Sequence, residues 1–195
     1  RGHRLMLSCS RPRAHYNGIQ SERLKRLPES ATIMYDTPFG SERMVQCIES
    51  TALDVFCHHG SWTKGLQTAG FDLIGAISWN THHLTRVFQV LASIGCPQVL
   101  YTNSYFVQKH TQPSAYALSK QLTEDVLKFY AHRYELSFSS IVLPNPVGTW
   151  DNIRLLEVFF KCWSANQQPT LFVKDWIRDN IWVGDLSNRW ANWIE

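Results

Sequence analysis

Apolar residues fall into short, β-leaning runs separated by longer stretches of helical period. The runs at 4–8, 31–35, 53–58, 98–102 and 138–143 have the length of buried strands. Between them, 41–50, 72–94 and 115–135 read as helices. The last is the clearest. Leu118, Leu122, Val126, Phe129, Tyr130 and Tyr134 recur there at three- and four-residue steps, Ser114 is placed to cap the first turn, and Pro113 ends the loop before it. Strands alternating with helices predict an α/β protein with a doubly wound, largely parallel sheet. Beyond Pro144 the character changes: six of the eight tryptophans lie there, amid short helices and irregular segments. The expected organisation is an α/β domain over 1–143 and part of a smaller lobe over 144–195.

Composition narrows the class. A chain of 195 residues with 44% hydrophobic and 18% charged residues builds one real core and is not disordered. The formal net charge of +3 is small and scattered, with no basic stripe interleaved with aromatics, so nucleic acid is not an expected partner. Five cysteines, odd in number and never spaced C-x-x-C, argue against a disulfide framework and a structural zinc site, and fit a reducing, cytoplasmic location. The tandem pairs His58-His59 and His82-His83 do not suit one metal ion, because adjacent strand residues face opposite sides. No apolar run reaches the roughly 18 residues of a membrane span.

In an open parallel sheet, ligands bind beyond the carboxyl ends of the strands. Here those ends read Ser8-Cys9-Ser10-Arg11-Pro12-Arg13, Asp36, His58-His59-Gly60-Ser61, Thr102-Asn103-Ser104 and Pro144-Asn145-Pro146. Tyr116 and Lys120 stand four residues apart on the clear helix and so share a face. An ammonium held beside a phenol lowers its pKa, which lets the phenol exchange a proton with an alcohol oxygen near neutral pH. Tyr105 and Lys109 have the same spacing but sit in a loop, where a four-residue step aligns nothing. Ser104, at a strand end twelve residues before Tyr116, can bond the same oxygen.

With these residues in place the chain resembles the extended short-chain dehydrogenase/reductase family, the NAD(P)-dependent sugar-nucleotide epimerases and dehydratases. Leu53-Asp54-Val55-Phe56-Cys57-His58-His59-Gly60-Ser61 is similar to the family's strand ending in H-x-A-A, and Asn80 to the helix asparagine that follows. Tyr101-Thr102-Asn103-Ser104 resembles the serine motif of the next strand, and Ser114-Ala115-Tyr116-Ala117-Leu118-Ser119-Lys120 the Y-x-x-x-K helix. Leu143-Pro144-Asn145-Pro146-Val147-Gly148 and Arg178-Asp179-Asn180-Ile181-Trp182-Val183-Gly184-Asp185 resemble two segments that approach substrate.

The resemblance implies a Rossmann domain with a small substrate lobe. Tyr116 would be the acid/base, Lys120 would bind the nicotinamide ribose, and Ser104 would orient the reacting oxygen. Asp36 would lie near the adenine, Gly60 and Ser61 along the dinucleotide, and Asn145 and Arg178 toward the substrate. Ser10, Arg11 and Arg13 stand where an acidic residue would mark NAD, which favours NADP and leaves NAD possible. Ser104 and Tyr105 occupy the places of the dehydratases' Asp-Glu pair, leaving epimerisation or carbonyl reduction of a sugar nucleotide or related sugar. The family's first strand and Gly-rich turn have no counterpart in these residues, and the expectation is that the natural polypeptide carries them upstream. A homodimer is left open. The alternative is a non-catalytic Rossmann-fold module for cofactor sensing or protein interaction, which would have no need of a phenol, an amine and a hydroxyl in register.

Overall fold

The computed structural model describes residues 2–66, 68, 70–108, 114–150, 155–170 and 179–195. These fall into two compact units, Arg1–His15 with Pro28–Leu143, and Tyr16–Leu27 with Pro144–Glu195. Along the chain, β1 (Met6–Ser8), α1 (Gly18–Lys25), β2 (Thr32–Met34), α2 (Glu42–Glu49) and β3 (Val55–His58) come first. Then follow α3 (Leu73–Asn80), α4 (Leu84–Ser93), β4 (Gln98–Ser104), α5 (Ala115–Arg133) and β5 (Ser137–Leu143). The chain ends with β6 (Asn145–Val147), α6 (Leu155–Ser164), β7 (Asn180–Trp182) and α7 (Val183–Ile194).

In the first unit all strand pairs are parallel. β1 pairs with β2, Met6 opposite Thr32. β4 lies between β3 and β5, with Val55 opposite Gln98 and Gln98 opposite Ser137. The result is an α/β fold of the Rossmann kind in two parallel ladders. Among the described residues β1 and β3 each pair on one side only.

Helices follow the apolar pattern where they cover the core. Leu84, Val87, Phe88 and Leu91 put one face of α4 inside, against Val45 and Ile48 of α2 and Val99 and Tyr101 of β4. Ser41, Asp72 and Ser114 cap α2, α3 and α5 by accepting from the amides of Met44, Gly75 and Ala117. The single helix expected over 72–94 is two, because His83 sits in the left-handed region at φ 47° and breaks the hydrogen-bond run between them.

Helix α5 begins at the expected residue, ends two residues early at Arg133, and keeps only part of the expected apolar stripe on the core, through Val126 and Tyr130 and the following Tyr134. Leu118, Leu122 and Phe129 of the apolar stripe are exposed. Ala117, Ser119, Lys120, Thr123, Glu124, Leu127 and Ala131 face the interior. Polar side chains reach the interior here because β4 and β5 present polar partners to them, described below.

The second unit pairs β6 with β7 in parallel, Asn145 opposite Asn180. It also holds α1, which the sequence reading assigned to the N-terminal domain without a helix. Two contacts account for this: Arg23 Nε donates to the Trp150 carbonyl, and the Arg26 guanidinium lies 3.6 Å from the centre of the Trp150 ring. No residue of α1 is buried, so no apolar periodicity announces it.

Gly40 adopts φ +68°, and an added Cβ would run into the backbone carbonyl of His82. Gly95 has φ +72° but open space around it. Gly40→Ala is therefore expected to lower unfolding free energy by at least about 2 kcal/mol, and Gly95→Ala by only about 1 kcal/mol, as read from urea midpoints. Equal losses would show that the His82 contact contributes nothing.

Candidate functional site

Lys120 is 2% exposed. Its Nζ donates to the Thr102 carbonyl and lies 4.3 Å from the centre of the Tyr101 ring, while the Tyr101 hydroxyl donates back to the Lys120 carbonyl at 3.1 Å. Burial pushes the amine down to about 8, and Glu124 works against that shift. Tyr116, one turn earlier, meets Phe71 and Phe106 edge-on, at 6.1 and 6.4 Å between ring centres. Burial raises its phenol, and the nearby Ser61 hydroxyl opposes the rise without reaching good hydrogen-bond geometry. This corrects the expectation that Lys120 lowers the phenol. The ammonium is turned onto Thr102 and Tyr101, and desolvation dominates at Tyr116.

Ser104 closes β4. Its N–H donates to Asn103 Oδ1 at 2.8 Å, and its hydroxyl accepts from the Phe106 amide at 3.4 Å in the short 3-10 turn that follows. Ser104 and Tyr116 are thus linked through Phe106, whose backbone meets one and whose ring meets the other.

The end of β3 lies beside them. His58 is held between Phe39 and Tyr101, with Nε2 2.9 Å from the Asn80 carbonyl, and burial pushes it down to about 4, so it is neutral at pH 7. His59 Nδ1 is 2.8 Å from Thr102 Oγ1, and burial, then the Lys120 charge, lowers it too. Asn80 Oδ1 accepts from the Trp62 amide at 2.9 Å, and its Nδ2 donates to Thr123 at 3.3 Å. Ser61 Oγ and Trp62 Nε1 are buried without a hydrogen-bond partner among the described residues. At Gly60 an added Cβ would meet open space. A polar ligand seated here would complete both orphaned groups.

Ser10, Arg11 and Asp36 come together where β1 and β2 end: the Asp36 amide donates to the Arg11 carbonyl at 2.9 Å, with Asp36 at φ 54°. The Arg13 guanidinium is 6.0 Å from the Tyr35 ring centre. Asn145 belongs to the second unit, where its Nδ2 donates to Asn180 Oδ1 at 2.7 Å and its amide to the Asp179 carbonyl at 2.8 Å. Arg178 lies outside the described residues. Sequence reasoning passed over Glu124, four residues after Lys120 and on the same buried face, although the helical step that found Tyr116 finds it as well. It also passed over the His59 to Thr102 contact, which no local spacing encodes. Among the described residues no group of three or more His, Cys, Asp or Glu could hold a metal ion, and no helix is long and apolar enough to cross a membrane.

Neither a protein-family model nor a curated protein matches the sequence. Solved structures do. UDP-glucose 4-epimerase of Thermotoga maritima, with UDP-glucose, superposes at TM-score 0.72 with 14% identity over 96% of this chain and 64% of its own. UDP-glucuronic acid 4-epimerase of Bacillus cereus, with UDP-glucuronic acid and NAD, gives 0.74 and 13% over 97% and 64%. The Bordetella bronchiseptica enzyme WbmG, with NAD, gives 0.73 and 15% over 100% and 61%. The chain has their fold. It spans less than two thirds of their length.

Lys120 binds its proton more weakly folded, at about 8, than at its ordinary 10.5. Between these values the unfolded chain holds more protons, so folding gains stability as pH rises, by on the order of 3 kcal/mol. Urea unfolding at pH 7.5 and pH 10.5 is expected to show this gain in the wild type relative to Lys120→Met. A difference that does not change with pH would mean the amine is not desolvated.

Proposed function

We propose that this chain carries the hydride-transfer centre of a nicotinamide-dependent epimerase or reductase acting on a sugar nucleotide. The observation that carries the proposal is the placing of the Tyr116 phenol near the Ser61 hydroxyl at the end of β3 and, through Phe106, beside Ser104 at the end of β4. The related folds solved with NAD, UDP-glucose and UDP-glucuronic acid support the ligand class.

Each residue then has a role. The buried Tyr116 phenol, protonated at neutral pH, exchanges its proton with the reacting sugar oxygen, and the Ser104 hydroxyl bonds that same oxygen. Lys120 holds the nicotinamide ribose hydroxyls. Gly60 lets the dinucleotide approach the backbone and Ser61 bonds it. Asp36 lies near the adenine, and Ser10 and Arg11 meet the 2′ position of its ribose, where a guanidinium favours the phosphate of NADP. Asn145 and Arg178 contact the substrate. When bound, the nicotinamide would supply a hydride to a sugar carbonyl carbon while the protonated Tyr116 gives its proton to the carbonyl oxygen, and the reverse transfer would need Tyr116 as the phenolate to take the hydroxyl proton.

One observation favours the second reading, a non-catalytic module of the same fold: the phenol is raised rather than lowered in this state. Turnover separates the two. Tyr116→Phe is expected to keep NADPH affinity within twofold, read by fluorescence transfer from tryptophan, and to lose about 100-fold or more in UDP-sugar turnover. Unchanged turnover removes Tyr116 from the chemistry, and wild-type binding without turnover selects the module. Separately, Arg11→Ala is expected to weaken NADPH about tenfold and leave NADH unchanged, since only the former carries the 2′-phosphate. Equal weakening of both would remove the case for NADP.

A further inference from the structure

Glu124 is a carboxylate buried to 6% exposure with every oxygen engaged. Oε1 accepts from Ser140 Oγ at 2.7 Å and from Lys128 Nζ at 2.7 Å. Oε2 accepts from Asn103 Nδ2. Asn103, itself 2% exposed, turns its other end to the next residue, where Oδ1 accepts the Ser104 N–H at 2.8 Å. A carboxamide donates at one end and accepts at the other. Reversing this one would set its carbonyl oxygen against a carboxylate and its NH2 group against an N–H. The acceptor oxygen that Glu124 presents therefore selects a single orientation of Asn103, and that orientation ties down the backbone of Ser104.

We propose that Glu124 is a positioning residue that acts through Asn103 to fix Ser104 at the end of β4. The inference deepens the preceding reading and rests on it for one point, that Ser104 bonds the reacting oxygen. The link spans three elements: α5 supplies the carboxylate, β4 the amide and the serine, and β5, through Ser140, the bond that holds the carboxylate in place. Fixing the backbone that carries the hydroxyl before substrate arrives reduces the entropy lost in placing Ser104 during the reaction.

Amide hydrogen exchange reads the link without requiring activity. In Glu124→Leu and in Asn103→Ala, the Ser104 amide is expected to exchange about tenfold faster than in the wild type, the worth of one hydrogen bond, after normalising to Leu127 in the core. Glu124→Gln keeps an acceptor for Asn103 and should restore the wild-type rate. Combining Asn103→Ala with Glu124→Leu should be no faster than either alone, because both cut one path. A Ser104 rate that rises only in step with Leu127, or effects that add in the double variant, would overturn the proposal. Should Glu124→Leu fail to fold, Asn103→Ala decides alone, and a wild-type Ser104 rate there sinks it. In turnover of a UDP-sugar, the two cutting variants should lower kcat with KM within twofold, and Glu124→Gln should recover it. A loosened Ser104 with unchanged kcat would overturn the role given to Ser104 while leaving the link intact.

Discussion

The bond from the Lys120 ammonium to the Thr102 carbonyl sets the arrangement of everything around it. A charge that is 2% exposed persists only if its surroundings replace water, and they do: a strand carbonyl, the face of the Tyr101 ring and the field of Glu124. Thr102 and Tyr101 both belong to β4. Rotating or sliding α5 along that strand would strand the ammonium, and this fixes the register between helix and sheet. Tyr116 and Glu124, one turn to either side of Lys120, are fixed with it.

The same constraint explains why half of the apolar stripe on α5 lies outside while Val126, Tyr130 and Tyr134 pack on the core. A 3.6-residue period of apolar residues normally marks the inward side. Here Lys120 and Glu124 take that side because β4 and β5 offer them Thr102, Asn103 and Ser140, Ser119 and Thr123 satisfy their hydroxyls on helix carbonyls, and Leu118, Leu122 and Phe129 are left outside. The five strands of the first unit were legible because each is a short apolar run with turn residues at its ends, and the cap of α5 because a serine before a helix has one local use, whereas β6 and β7, three residues each, carry no such pattern. The break between α3 and α4 depends on His83 taking a left-handed backbone, which histidine does not announce. Helix α1 has no buried side chain to generate a pattern. The contacts among His59, Thr102 and Asn103 are tertiary and have no local signature.

Desolvation acts on the titratable groups of this region in one sense. It raises Tyr116 and lowers Lys120, His58 and His59, in each case toward the neutral form. Glu124 is the exception: three donors, from Lys128, Ser140 and Asn103, outweigh its burial and keep it ionised. At neutral pH the two histidines are uncharged, the amine is largely protonated, and one carboxylate stands a turn away from it. The region therefore holds one buried cation, one carboxylate and otherwise neutral polar groups, a charge pattern in keeping with the nucleotide ligand proposed for it.

Identities of 13–15% carry a backbone and no chemistry, so the choice between an enzyme and a silent module of the same fold rests on individual atoms. Commitment of Lys120 to Thr102 does not decide against catalysis. An ammonium has three donors in a tetrahedral array. One is spent on a strand carbonyl, and on the proposed reading the remaining donors are the ones offered to a ribose diol. The bond that holds α5 in register would then also aim the amine, so that a single buried contact serves both the fold and the proposed chemistry.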